Sequence, residues 1–228
     1  MELSARGSET TSLQNINRNM EIINENIMDA ECITMYSAPI WGEKDPNNPK
    51  KRLPKVPERY VSLKTVGEYI RSKEAQRVTE LVRSGKCEKK VILPSVVFQG
   101  RFSGQTKEDL LELSGLTCLD FDHVDDPAEL KQMLWHDEML CPLLAFISPS
   151  GKGVKVVVEF SCTSTEEYER DITAVWNYVE TVYGVKCDAQ CKNVNRLCFL
   201  CYDSEVLIND CITLNTKGEK NEVFIQFR

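Results

Sequence analysis

Gly115-Leu116-Thr117-Cys118-Leu119-Asp120-Phe121-Asp122 is an apolar run that ends in two aspartates one residue apart. Side chains alternate across a β-strand, so Asp120 and Asp122 share one face while Leu119 and Phe121 point the other way into a core. A buried strand that delivers two carboxylates to one spot carries a like-charge cost, and a hard divalent cation such as Mg²⁺ or Mn²⁺ offsets it through oxygen ligation. The competing reading is structural. In Val124-Asp125-Asp126-Pro127-Ala128-Glu129, Asp126 suits an N-cap, Pro127 the first helical position and Glu129 a capping box, which would make the acids strand-end and cap residues only.

Two later segments bear on that choice. Leu143 to Ile147 is apolar and leads into Ser148-Pro149-Ser150-Gly151-Lys152-Gly153-Val154-Lys155-Val156-Val157-Val158, a strand, a tight glycine turn and a second strand. Gly151 and Gly153 permit backbone conformations that aim amides at a phosphate, and Lys152 and Lys155 add charge. An ordinary hairpin with solvated lysines would look the same, and the spacing is not that of a Walker A loop. The second segment, Val185 to Leu200, places Asp188 after a long helical pattern and Arg196 at the head of the apolar strand Leu197-Cys198-Phe199-Leu200.

In order and character these segments resemble the motifs of the archaeo-eukaryotic primase superfamily, and most closely the VirE N-terminal domain family of bacterial mobile-element proteins. The residues that carry the resemblance are Ile92-Leu93-Pro94, Leu119 to His123, Ser148 to Lys155 and Asn195 to Asp203, within a span from about Cys32 to Asp210. The resemblance implies an α+β two-layer sandwich with a mixed or antiparallel sheet and an RRM-like catalytic core. It implies Asp120, Asp122 and Asp188 as catalytic ligands of Mg²⁺ or Mn²⁺, and Ser150, Gly151, Lys152, Gly153, Lys155 and Arg196 as nucleotide-binding residues. The activity implied is primase-polymerase-like nucleotidyl transfer on a nucleic-acid template with nucleoside triphosphates, in mobile-element replication, with a helicase-like ATPase as partner. Such chemistry uses metal ions about 3.5–4 Å apart and fixed cations opposite the triphosphate. Two other classes compete. Lys155 stands where a histidine is frequent and Asn193 where an aspartate is expected, which suits a non-catalytic nucleic-acid-binding or regulatory module; a metal-dependent nuclease would use the same acids without a triphosphate grip.

At 228 residues and 42% hydrophobic content the chain can bury one sizeable core with extensions. The expected organisation is a polar tail and amphipathic helix over 1–31, a main domain over 32–212 and a C-terminal extension over 213–228. Leu13, Ile16, Met20, Ile23 and Ile27 form the apolar stripe of that first helix. Strands are expected at Ile33 to Ile40 and Val91 to Phe98. Helices are expected at Leu63 to Arg83 (one broken or two short), Lys107 to Leu113, Pro127 to Trp135 and Thr165 to Tyr183, the last closed by Gly184.

No apolar stretch approaches the length of a membrane span and no signal peptide is visible, so no membrane association is expected. Ten cysteines without a secretory segment point to a reducing cytoplasm. Cys187, Cys191, Cys198 and Cys201 are candidates for a zinc set, but the last two would face opposite sides of a strand. A net charge of −7 argues against coating nucleic acid by bulk electrostatics. Local contact is the alternative, and Lys44, Lys50, Lys51, Arg52, Lys55 and Arg59 form the best strip for it, in a Pro/Asn-rich loop that otherwise is simply solvated.

Overall fold

The computed structural model describes residues 27–86 and 90–209. The stripe from Leu13 to Ile23 and the extension 213–228 lie outside them; Ile27, at the stripe's end, packs against the core.

The chain is α+β, and among the described residues every strand pair is antiparallel. Strands β1 (Ile33–Tyr36), β4 (Arg59–Val61), β5 (Ser95–Val97) and β11 (Cys198–Phe199) form one sheet in the order β11-β5-β1-β4. Strands β8 (Leu116–Phe121), β9 (Leu144–Ile147), β10 (Val154–Glu159) and β12 (Leu207–Ile208) form the other, in the order β12-β9-β10-β8. Two hairpins stand apart: β2 (Lys44–Asp45) with β3 (Asn48–Arg52), and β6 (Gly100–Phe102) with β7 (Leu110–Leu113).

Side-chain alternation explains how the layers meet. In the second sheet Leu119, Phe121, Ala145, Val154, Val156 and Val158 share a core with residues of α3 (Pro127–Trp135) and α4 (Thr165–Tyr183). Their neighbours on the opposite face, among them Cys118, Leu144, Phe146 and Val157, pack instead with Ile33, Val96 and Cys198 of the first sheet and with α1 (Leu63–Arg71). The second sheet is therefore covered on both faces, which is why all six residues of β8 are buried and why its sequence reads as a continuous apolar run.

The helices begin and end where local chemistry dictates. Ser72 closes α1 with its backbone N–H to Tyr69, and its Oγ accepts from Ala75 N–H to cap α2 (Lys73–Arg83), so the Leu63 to Arg83 pattern is two helices sharing one serine. Asp126 Oδ1 accepts from the N–H groups of Ala128 and Glu129, with Pro127 in the first turn; Glu129 enters this cap through its backbone. Gly184, at φ 67°, closes α4.

Three expectations are corrected. The strand from Ile33 ends at Tyr36. Within Val91 to Phe98 only Ser95–Val97 is a strand, because Lys90–Ile92 is a 3₁₀ turn and Pro94 has no N–H for a ladder. Lys107 to Leu113 is a single 3₁₀ turn, Lys107–Asp109, followed by β7, whose pairing with β6 overrides the local helical signal.

Candidate metal centre

The site is built where β8 ends. Antiparallel pairing with β10 sets Lys155 opposite Asp120, and both side chains lie on the face turned toward the first sheet, beside Cys118 and Cys198. Lys155 Nζ donates to Asp120 Oδ2, and the two side chains are only 8% and 11% exposed. Asp120 Oδ1 is buried and has no hydrogen-bond partner. Asp122 follows the last residue of the strand and is exposed.

Asp188 arrives from a distant part of the chain. Its backbone N–H donates to the Asp120 carbonyl at 2.8 Å, which fixes its Cα beside the end of β8. Its Oδ1 accepts from Gln190 N–H at 3.0 Å, capping the 3₁₀ turn Ala189–Lys192. That turn is anchored from below. Tyr168, buried on α4, donates its hydroxyl to the Cys191 carbonyl at 3.0 Å while its oxygen lies 2.7 Å from Thr117 Oγ1 and accepts from Gln99 Nε2. As a result Asp120, Asp122 and Asp188 each offer an oxygen within 4.8 Å of the others. Among the described residues this is the one such cluster of three or more His, Cys, Asp or Glu side chains.

Two cations sit inside the cluster. Burial works against the Lys155 ammonium, yet the Cys198 sulfur and the Asp120 carboxylate beside it, with Cys118 next to them, hold its pKa above the ordinary lysine value. Arg196 Nη2 donates to Asp188 Oδ2 at 2.6 Å and Nη1 to Gln190 Oε1, while its Nε is buried without a partner. Sequence reasoning assigned both cations to a triphosphate; in the structure both are engaged by the carboxylates. The donor set fits a hard divalent cation: three carboxylates, no soft ligand, and one buried oxygen on Asp120 whose lone pairs nothing satisfies.

The glycine turn comes to the same place. Gly151 has φ 74°, and a Cβ on Gly153 would run into the Phe121 carbonyl oxygen and press on Asp122 Cα, so only glycine lets this turn lie against the acidic strand end. Ser148 Oγ and Ser150 Oγ are 3.0 Å apart, and Ser150 Oγ accepts from Lys152 N–H at 3.3 Å. The Lys152 carbonyl accepts from Val124 N–H at 3.1 Å, and its side chain is exposed. His123 is an exposed turn residue with φ 56°.

Sequence reasoning missed Arg83 and Tyr168. Arg83 donates to the carbonyls of Pro149, Ser148 and Tyr202 at 3.2–3.4 Å and so ties α2 to the glycine turn. Tyr168 is one more apolar-stripe position of an amphipathic helix; neither residue carries a local signal of its role. The zinc set does not form. Cys187 neighbours Cys191, Cys198 neighbours Cys118, and Cys201 Sγ donates to the Ile147 carbonyl at 3.1 Å. The buried Cys118, Cys191, Cys198 and Cys201 are free thiols. Among the described residues no helix is long and apolar enough to cross a membrane.

Residues 88–207 match the family model described as BT4734-like, N-terminal domain. The match covers more than half of the chain, and the chain belongs to that family. This corrects the resemblance to the VirE N-terminal domain family, which is a different family, and nothing in the match ties the chain to the archaeo-eukaryotic primase superfamily. The motifs behind that resemblance are short, and an acidic strand end, a glycine turn and an arginine before a strand follow from general sheet-end chemistry as readily as from descent. Comparison with curated proteins and with solved structures finds no match.

Proposed function

We propose that this BT4734-like N-terminal domain is a divalent-metal-dependent nucleotidyltransferase that acts on nucleic acid with nucleoside triphosphates, in the manner of a primase or polymerase. The observation that carries the reading is the convergence of Asp120, Asp122 and Asp188 within 4.8 Å, with the buried Asp120 Oδ1 unpartnered. These three carboxylates would hold Mg²⁺ or Mn²⁺. Bound there, the cation supplies activation of an attacking hydroxyl and stabilisation of a leaving pyrophosphate. Lys155 and Arg196 keep fixed positive charge at the same spot, so a triphosphate drawn to the centre meets preplaced donors. The glycine turn lies against the strand end and brings the exposed Lys152 side chain to the same end of the sheet, a further cation for phosphate. In this reading the β12-β9-β10-β8 sheet with α3 and α4 on one face serves as the two-layer, RRM-like platform. The unbridged thiols of Cys118, Cys191, Cys198 and Cys201 suit a reducing cytoplasm.

A second reading draws on the same ion pairs. With Lys155 on Asp120 and Arg196 on Asp188, two of the three carboxylates are already neutralised, as a non-catalytic nucleic-acid-binding module would have them.

The experiment is Mn²⁺ titration by calorimetry together with nucleotide incorporation on a primer–template, for the full chain and for Asp120→Asn. The expected result is Mn²⁺ binding and metal- and triphosphate-dependent incorporation in the wild type, both lost in a folded Asp120→Asn. Mn²⁺ binding without incorporation favours the second reading. Strand cleavage without triphosphate replaces polymerisation by nuclease chemistry, and absence of Mn²⁺ binding overturns the centre.

A further inference from the structure

The β2–β3 hairpin and the segment after it form a basic stretch in an acidic chain. Lys44, Lys50, Lys51, Arg52, Lys55 and Arg59 fall in one stretch with Asp45 and Glu58 as its only acids. All five residues of β3, Asn48-Pro49-Lys50-Lys51-Arg52, are exposed. Among the described residues no acid pairs with Lys44, Lys50, Lys51 or Arg59; the ion pairs formed elsewhere do not include them.

The hairpin is also held in place rather than left to wave. At its tip Asp45 Oδ1 accepts from Asn47 N–H and Asn48 Oδ1 from Lys50 N–H, two Asx turns that fix the chain reversal. At its root a Cβ on Gly42 would run into the Leu53 carbonyl, so the two arms close on a glycine. Arg52 lies over the Trp41 ring at 5.2 Å and donates to the Gly42 carbonyl at 2.9 Å. The root is then connected to the metal centre: Gln105 Nε2 donates to the Ile40 carbonyl at 2.8 Å, and the Gln105 carbonyl accepts from Asn195 Nδ2 at 2.8 Å. Asn195 is the residue before Arg196, which holds Asp188. One glutamine thus bridges the basic hairpin to the loop that completes the acidic cluster.

We propose that the β2–β3 hairpin binds the phosphodiester backbone of the nucleic acid on which the centre acts, with Lys44, Lys50 and Lys51 as the contacting cations. The logic is charge complementarity at short range. A chain of net charge −7 opposes the approach of a polyanion, and a preorganised group of unpaired ammoniums lowers that barrier at the hairpin. The place it selects is linked to the carboxylates. The contact is to backbone and carries no base recognition, so it is salt-dependent and tolerant of sequence. This inference rests on the proposed action on nucleic acid but not on the metal chemistry, and its test needs neither metal nor triphosphate.

The test is fluorescence anisotropy of the full chain with labelled single-stranded DNA and, in a second arm, with a duplex, across a salt series. The variants are Lys50→Glu/Lys51→Glu, the milder Lys50→Ala/Lys51→Ala, and a control reversal of the exposed Lys73 and Arg77 on α2 to Glu, which changes net charge equally. The expected result is a loss of about tenfold or more at low salt for the hairpin reversal. For the alanine pair the slope of log affinity against log salt should become shallower by about 1.4 on single strands, with little change in the α2 control. The arm that loses more identifies the form of nucleic acid bound. Equal loss in the α2 control would show bulk charge at work and overturn the proposal, as would wild-type binding unaffected by either hairpin variant or no wild-type binding at all. Mn²⁺ binding and incorporation, read separately with Asp120→Asn, decide the catalytic reading whichever way the hairpin test falls.

Discussion

Replacing Lys155 by methionine tests whether the ion pair at the centre substitutes for a metal. Methionine keeps the apolar stem and removes the ammonium, leaving the Asp120 carboxylate with neither oxygen paired. The pair is 8% and 11% exposed, so solvent screens it little. Removing one partner of a buried pair costs about 3–5 kcal/mol, because the surviving charge is uncompensated. For a chain of this size, each kcal/mol moves the melting point by about 2–4 °C, so Lys155→Met should melt about 6–20 °C below the wild type in EDTA. Mn²⁺ should then recover more of the melting temperature in the variant than it adds to the wild type. The same carboxylate has lost its internal competitor, and a ligand that binds only the folded state stabilises it by mass action. The assay is thermal unfolding followed by circular dichroism, with and without Mn²⁺. An unchanged melting point in EDTA, or an Mn²⁺ shift no larger than that of the wild type, would refute the reasoning.

Tyr168→Phe removes the hydroxyl that holds the Cys191 carbonyl and leaves that carbonyl, Thr117 and Gln99 short of a partner; a loss of about 1–3 kcal/mol is expected, with weaker Mn²⁺ binding because Asp188 rides on that turn. Destabilisation with unchanged Mn²⁺ affinity would make Tyr168 a core residue only. Burial pushes the Cys201 thiol up to about 12, whereas an unfolded thiol ionises near about 8.5. The folded state therefore retains a proton that the unfolded state releases between those values, and this group's contribution to stability declines as pH rises from about 8.5 toward about 12. In native protein at pH 8, iodoacetamide should reach the exposed Cys141 well before Cys201, as read by peptide mass spectrometry; equal rates would contradict the burial.

What was legible in the sequence was local. α3 and α4 occupy the residues expected of them, since Asp126, Pro127 and Gly184 act within one turn of their own positions. Lys107 to Leu113 carries a helical signal that the fold overrides. Asp109 Oδ2 does accept from Thr106 N–H and Oγ1 as a helix start would, but Leu110–Leu113 has a strand partner in β6 only once the chain has folded. The basic strip has no strand signal of its own for a similar reason: its hairpin depends on Gly42 meeting Leu53 across the turn.

The site divides the same way. Asp120 and Asp122 could be read as a pair because they share a strand end, and Asp188 joins them in the structure through its backbone bond to Asp120. The pairing of charges has no local signal, because Lys155 meets Asp120 through a strand register across 35 positions and Arg196 meets Asp188 through the geometry of a 3₁₀ turn. That pairing changes the chemistry to be expected. Cations reserved for a triphosphate would attract it at any time, whereas cations engaged by carboxylates become available when something else neutralises those carboxylates. A divalent cation is suited to that exchange, so metal and triphosphate should bind cooperatively at this centre, each weakening the internal ion pairs that oppose the other.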